Sequence, residues 1–407
     1  MNPQNFPQDV LTLIFKYLQL PEELTACGLT CKQWYQASIA DTLWSHHCKR
    51  SEITATIFTP TPKTHRETYQ RFREIYVGYT DAYPKVKRCM RRLEKWLQKY
   101  APQLFATLAP PLEWKKPLFK SLENETINFP KEFELWYHLH DGERGYTGGL
   151  FGVYHCYGIF CCLLWISSIH LRKFEIWSLE VVVFGWCRYT GKSLALVVNC
   201  PPTFELELLH HVIEFDEITY KYQDKGVFMD FIEEYVDNLE MGVFSLTPQK
   251  QILMFPNEGL GTSRAVTKGI EVQASAIYAS ESQRPYTQFI YRIRMNLLSP
   301  SALGYPSCQL VSRYWLIRFE SGNIDEVEGE AVIGEYPLLS RSTPSFEYCS
   351  ICADSPNTID KVYSMKGHFI FVPGSIENPV GPSFQVNVAE YRLPQPVSFP
   401  RMITYDV

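Results

Sequence analysis

Residues 185–193, Gly-Trp-Cys-Arg-Tyr-Thr-Gly-Lys-Ser, follow an apolar run and have the outline of a strand feeding a phosphate-binding loop. A P-loop needs Gly-x-x-x-x-Gly-Lys-Ser/Thr, because unhindered backbone N–H groups must curl round the phosphates. With four residues between the glycines, the first would fall at 186, where the chain has Trp186; Gly185 comes one position too early. The residues after Ser193, Leu-Ala-Leu-Val-Val, read as a second strand and not as the helix whose N-terminus would hold the anion. The expectation is a β-hairpin turning through 188–192. Cys349-Ser-Ile-Cys352 has the spacing of half a zinc site or a redox pair, but it has no adjacent second pair of ligands and no βαβ setting. His46-His47-Cys48, with Cys27 and Cys31, reads as helical core before it reads as a metal site. Gly329-Glu-Ala331-Val-Ile-Gly334 carries alanine where the dinucleotide fingerprint has the glycine that admits a pyrophosphate. The acidic residues Asp325, Glu326, Glu328, Glu330 and Glu335 read as a solvated turn. No nucleophile–base constellation, HExxH or paired carboxylate stands out. No catalytic residue, cofactor or metal is therefore expected, and binding of a nucleotide or phosphate through 185–193 or 329–334 stays as the alternative function.

These residues lie in a chain of 407 residues, 45% apolar and 20% charged, with a net charge of −5. That balance is globular, and it gives no electrostatic reason to expect nucleic acid or an anionic membrane. The first ten residues lack a secretory pattern. The most apolar run, 158–171, is shorter than the roughly 20 residues that cross a bilayer. Twelve irregularly spaced cysteines suit reduced, mostly buried thiols. The expectation is a soluble chain of the cytoplasm, the nucleus or both, with no membrane partner.

Three patterns follow one another. Residues 1–50 are helical, with Val10, Leu11, Ile14, Phe15 and Leu18 at helical spacing, a break at Leu20-Pro21, and a further apolar series through Trp34 and Trp44. So much apolar surface on so small a unit implies a partner. Residues 51–109 read as a Thr/Pro-rich linker and an amphipathic helix over 85–100. That helix sets Val86, Cys89, Leu93 and Trp96 against a basic face that includes Arg91 and Arg92. Without aromatic residues interleaved, this face reads as solvated, and a nucleic-acid partner is not expected. Residues 110–245 mix helix and strand, with strand-like stretches at 158–166, 181–186 and 194–198. From about 265, residues such as Phe289, Tyr291, Ile293, Met295 and Leu297 alternate with Arg292, Arg294 and Asn296. Such alternation between Gly/Pro/Ser turns predicts an antiparallel sandwich.

The N-terminal string resembles an F-box. Its pattern positions are filled by Phe6, Pro7, Leu11, Ile14, Phe15, Leu18, Leu24, Cys31, Trp34, Leu43 and Trp44, with Phe6 in place of the usual leucine. The stretches 308–317, 326–340, 345–350 and 365–372 are similar to an ApaG domain, a fibronectin-III-like all-β sandwich, with Ala331 departing from its GxGxxG motif. Residues 129–152, with His140-Asp141-Gly142, resemble the SUKH signature. The order F-box, SUKH, ApaG is similar to the F-box only protein 3-like family. The resemblance implies a multidomain α+β chain: an F-box at 1–50, a SUKH-like α+β domain at 110–245 and an ApaG domain at 262–400. It also implies a non-catalytic substrate-recognition subunit of an SCF-type cullin–RING ubiquitin ligase, reaching cullin and RING subunits through the Skp adaptor and binding unknown targets through its SUKH and ApaG parts. The implied adaptor contacts are Phe6, Pro7, Leu11, Ile14, Phe15, Leu18, Leu24, Trp34, Leu43 and Trp44. Gly329, Ala331, Gly334 and Glu335 are the implied target or phosphate loop.

Overall fold

The computed structural model describes residues 6–58, 60–112, 127–145, 148–176, 178–201, 208–216, 221–279, 288–353, 360–395 and 397–398. Residues 146–147 of the turn cluster after His140 and 399–400 of the expected ApaG range lie outside them. The chain is a multidomain α+β protein. Its contacts divide it into two compact units, one built mainly from residues up to 94 with 129–140, the other from 95–109 and 141 onward.

The first unit is helical. Pro7 starts α1 (Gln8–Phe15), and Pro21 opens α2 (Pro21–Gly28), where its missing N–H costs nothing. The Glu23 carboxylate folds back to accept the Gln19 and Leu20 amides at 2.8 and 2.9 Å, satisfying the orphan donors of that turn. Helices α3 (Lys32–Ser38) and α4 (Asp41–Arg50) complete the N-terminal cluster. The expected linker contains the start of α5 (His65–Ile75), capped by Thr64, whose hydroxyl accepts the Glu67 amide at 3.1 Å. Helix α6 (Tyr83–Tyr100) begins two residues before the predicted 85, because Pro84 is well tolerated in a first turn. It buries Val86, Cys89, Leu93 and Trp96 as its pattern predicts. On its basic side Arg91 pairs with Glu52 at 2.8 Å.

The second unit is rich in β-structure. After α7 (Pro102–Phe105) in this unit and α8 (Lys131–Leu139) in the first, the strands run β1 (Val153–Cys156), β2 (Ile159–Cys162), β3 (Leu164–Trp165), β4 (Arg172–Ile176), β5 (Leu179–Trp186), β6 (Ser193–Asn199), β7 (His211–Asp216) and β8 (Lys221–Val227). The apolar stretch 158–166 is thus two short strands and not one. Strands β3 to β8 form an antiparallel sheet in the order β8-β7-β6-β5-β3, with β4 also on β5. Helix α9 (Phe228–Met241) follows β8 and ends at Gly242, whose φ of 76° is the left-handed cap that glycine adopts without strain. The turn 140–145 is an anchor. The Asp141 carboxylate accepts the Ser168 amide at 2.7 Å and the Ser167 hydroxyl at 3.0 Å. Gly142 has φ 77°, and a side chain there would meet the Ile166 and Ser167 backbone at 2.6 Å.

Strands β9 (Phe244–Leu246) and β10 (Ile252–Pro256) join β1 and β2 in a small sheet. The remaining strands are the predicted sandwich. One sheet has the order β11-β12-β13-β17, from Thr262–Thr267, Ile270–Ala279, Gln288–Leu297 and Ser345–Ala353. The other has the order β15-β14-β18-β19, from Ile324–Glu330, Ser307–Phe319, Val362–Pro373 and Phe384–Arg392, with β16 (Leu338–Ser340) beside β14. Phe289, Ile293 and Met295 from one sheet and Leu310, Phe369 and Val386 from the other share one core. A last strand, β20 (Val397–Ser398), leaves the sandwich and pairs with β8.

One expectation changes, and one charged side chain is unexpectedly enclosed. The acidic run 325–330 is not a turn but the edge strand β15, exposed almost throughout and bonded to β14. Charge along an open strand edge discourages pairing with another chain. Arg292 alternates with the apolar residues as Arg294 does, yet it is only 3% exposed. Its guanidinium lies 5.5 Å over the Phe255 ring and donates to Asn257 at 3.1 Å, because residues 252–257 cover this side of the sheet.

Candidate functional site

The N-terminal helices separate a core from a face. Leu11 and Phe15, four apart on α1, are 1% and 2% exposed and pack inward with Leu24, Leu43 and Trp44. Phe15 meets Trp34 edge-on at 5.4 Å, and the Trp44 indole N–H donates to the Ser38 carbonyl at 2.8 Å. Five of the ten adaptor contacts implied above, Leu11, Phe15, Leu24, Leu43 and Trp44, are therefore enclosed within the helical unit. Phe6, Leu18 and Trp34 are half-buried, while Pro7 and Ile14 are exposed. The Phe6 carbonyl accepts from the Gln33 side chain, which ties the entry of α1 to α3.

Opposite the core, α1 and the turn that follows it carry a second apolar stripe. Val10, Leu13, Ile14 and Tyr17 stand at i, i+3, i+4 and i+7, and Leu13 and Tyr17 are 56% and 82% exposed. Leu20, Leu29 and Tyr35 add exposed apolar surface on the neighbouring elements. A helix apolar on two sides has one side for its own core and one for something else. Sequence reasoning did not single out Leu13 or Tyr17, and it read Leu29 and Tyr35 only as members of the apolar pattern. The doubled periodicity of 10–17 was the available signal, since one stripe of Leu11 and Phe15 already suffices for packing.

The P-loop look-alike is a hairpin between β5 and β6. The Gly191 amide donates to the Cys187 carbonyl and the Cys187 amide to the Lys192 carbonyl, both at 2.9 Å. Lys192 is 3% exposed, and its ammonium sits 2.5 Å from the Glu214 carboxylate and 3.2 Å from the Tyr278 carbonyl. Lys225 holds the other Glu214 oxygen at 3.2 Å. Burial pushes the Glu214 carboxyl up, but the two lysines outweigh it and hold it at about 2. The lysine that would grip a phosphate is thus a structural cation.

In the loop 329–335, Ala331 and Ile333 have φ of 59° and 48°, and Gly334 has 80°. The Ala331 amide donates to the Val311 carbonyl at 2.9 Å, and the amides of Val332 and Glu335 donate to each other's carbonyls at 3.0 and 2.8 Å. The Arg313 guanidinium donates to the carbonyls of Glu330 and Ala331, each at 2.7 Å. Gly329 lies against that guanidinium, and Gly334 and Glu335 are exposed at the tip. A phosphate nest needs those amides free and convergent, so the loop's geometry does not favour one. Cys349 and Cys352 stand three apart on β17 and so point to opposite faces of it. On α4, His47 and Cys48 are buried, and the Cys48 thiol donates to the His65 carbonyl at 3.2 Å. Among the described residues no group of His, Cys, Asp or Glu is arranged to hold a metal ion, and no helix is long and apolar enough to cross a membrane.

The comparisons with known proteins agree with this division. The F-box-like family matches residues 4–50, and the ApaG domain family matches residues 278–373. F-box protein SKIP16 of Arabidopsis thaliana is 27% identical over 92% of this chain and 95% of its own length. F-box only protein 3 of Mus musculus is 24% identical over 96% of this chain and 82% of its own length. Protein ApaG of Rhizobium meliloti (strain 1021) is 34% identical over 33% of this chain and 93% of its own length. With an F-box-like helical unit at its start, an ApaG sandwich near its end and relatives alike along nearly the whole length, the chain belongs to the family of F-box proteins that carry an ApaG domain.

Proposed function

We propose that this F-box protein is the substrate-recognition subunit of an SCF-type cullin–RING ubiquitin ligase, docking on the Skp adaptor through its N-terminal helices and holding targets with residues 110–245 and 262–400. The supporting observation is the exposed stripe of Val10, Leu13, Ile14 and Tyr17, placed opposite the unit's own core. The exposed loop tip around Gly334 and Glu335 belongs to the target-facing surface. The subunit is not itself an enzyme: it raises the effective concentration of a target lysine near a charged conjugating enzyme. Such a role places it in the cytoplasm or nucleus. The hairpin lysine is committed to Glu214, and nothing in the comparisons favours a nucleotide-binding reading.

Co-purification with the Skp adaptor tests this. Leu13→Asp/Tyr17→Asp alters the exposed stripe and spares the core, so its circular dichroism should match the wild type. Each large apolar side chain is worth about 1.5–3 kcal/mol when buried. The double variant should therefore bind the adaptor about 100-fold more weakly or not at all. Unchanged affinity in the folded variant would remove the stripe from the interface, and no complex with the wild type would overturn the proposal.

A further inference from the structure

Between β13, β14 and β17 the sandwich holds a cavity of about 290 Å³, remote in sequence from the F-box. Its walls include Tyr291, Trp315 and Tyr348, 6%, 2% and 4% exposed, together with the apolar Val332 and Met365. Tyr291 and Trp315 meet edge-on at 5.6 Å, which fixes both rings. The charge on the wall comes from Arg313, with no carboxylate among the lining residues. Tyr157 closes one side. It sits in the two-residue turn between β1 and β2, with φ 47° followed by Gly158 at 80°, and it shares a hydrogen bond with the Ser350 hydroxyl at 3.0 Å.

Among the described residues, two polar atoms of this wall find no partner: the Tyr348 hydroxyl and the Trp315 indole N–H are buried without a hydrogen bond. An indole nitrogen only donates, and leaving a buried donor unmet costs about 1–3 kcal/mol. The Tyr348 phenol, pushed well above its ordinary value by burial, also keeps its proton and is a donor. Two unmet donors and a guanidinium, set among aromatic and aliphatic side chains, ask for a group that only accepts and carries negative charge.

We propose that this cavity is a binding site for a carboxylate borne on an apolar body, with Tyr348 and Trp315 donating to its oxygens, Arg313 supplying the countercharge and the aromatic walls enclosing the body. Neither donor touches solvent, and the Tyr157–Ser350 hydrogen bond borders the cavity. The same chemistry is offered by a free aromatic or aliphatic acid and by the C-terminal carboxylate of a peptide ending in an apolar residue. The inference is independent of the ligase role.

The test uses the full chain and four probes followed by isothermal titration: 3-phenylpropionate, 3-phenylpropionamide, and one pentapeptide ending in Phe with either a free or an amidated C-terminus. Both acids should bind, and each amide should bind about tenfold more weakly or not at all. A peptide acid tighter than 3-phenylpropionate identifies a chain end as the source; the reverse order identifies a free acid. Tyr348→Phe removes a hydroxyl that bonds to nothing in the free chain, so its thermal midpoint should stay or rise while acid affinity falls about tenfold. Acids that fail to bind, acids that bind no better than their amides, or an unchanged affinity in Tyr348→Phe would each overturn the proposal. The first of these is also the outcome if ordered water alone satisfies the two donors.

Discussion

Glu214→Ala is expected to lower the stability of the β-rich unit by about 3–5 kcal/mol, the range for breaking a buried ion pair from one side. The carboxylate lies between Lys192 and Lys225, on the middle strand of β6, β7 and β8. Its removal takes the Glu214 countercharge away from the Lys192 ammonium, which is 3% exposed and also donates to the Tyr278 carbonyl. Net stabilities of folded chains are about 5–15 kcal/mol, so the loss is a large share of the whole. Urea unfolding at pH 7 should show a lower midpoint at unchanged slope. A Lys192→Met/Glu214→Leu chain should lose much less, since no buried charge is then left unpaired. The same pair gives an acid limit. With the folded carboxyl at about 2 and the unfolded one at 4.5, the stabilisation is present above pH 4.5 and fades as pH falls toward 2. It amounts to about 3 kcal/mol. A loss under about 1 kcal/mol in Glu214→Ala would show that water compensates the stranded charge.

That pair also shows which features the sequence carried. The hairpin at 188–192 was legible, because Trp186 excludes the glycine loop and strand-like residues flank the turn on both sides. The sandwich was legible from the alternation in β13, β18 and β19. The partner of Lys192 was not, since Glu214 and Lys225 lie on strands 22 and more residues away and nothing local marks them. The burial of Arg292 was not legible, because alternation reports which residues share a face and not what covers it; here residues 252–257 do. At the F-box, order and spacing pointed to the family, but the motif's most recognisable positions, Leu11, Phe15 and Trp44, are those that build the helical unit. The exposed stripe follows from the helical period only once the core stripe has been assigned.

Glu143→Gln is expected to leave stability unchanged near pH 5 and to raise it by about 2–4 kcal/mol at pH 9. The Glu143 residue is half-buried, but its carboxyl group is turned inward, where one oxygen accepts the Leu150 amide at 2.9 Å and the Trp165 amide at 2.7 Å. The other oxygen is 3.5 Å from the Thr107 hydroxyl. Burial pushes the carboxyl up to about 8, against the contrary pull of these three donors. The folded chain therefore holds a proton that the unfolded chain releases near pH 4.5. Where the folded state binds more protons, stability falls as pH rises, so the destabilisation begins at about 4.5, grows toward 8 and is then constant. The full span of the shift corresponds to about 5 kcal/mol, and the partial exposure of the residue brings the expected effect below that. Glutamine fits the same place: its carbonyl oxygen can accept both amides, and it carries no proton to lose. Thermal midpoints of wild type and variant should coincide near pH 5 and diverge steadily through pH 8. Parallel curves over that range would mean that the two amide donors hold the carboxylate ionised in the folded chain and that burial is the weaker influence. Glu143→Ala separates the two roles, because it removes the charge and also strands the Leu150 and Trp165 amides. That chain should be less stable than wild type near pH 5, where Glu143→Gln is neutral.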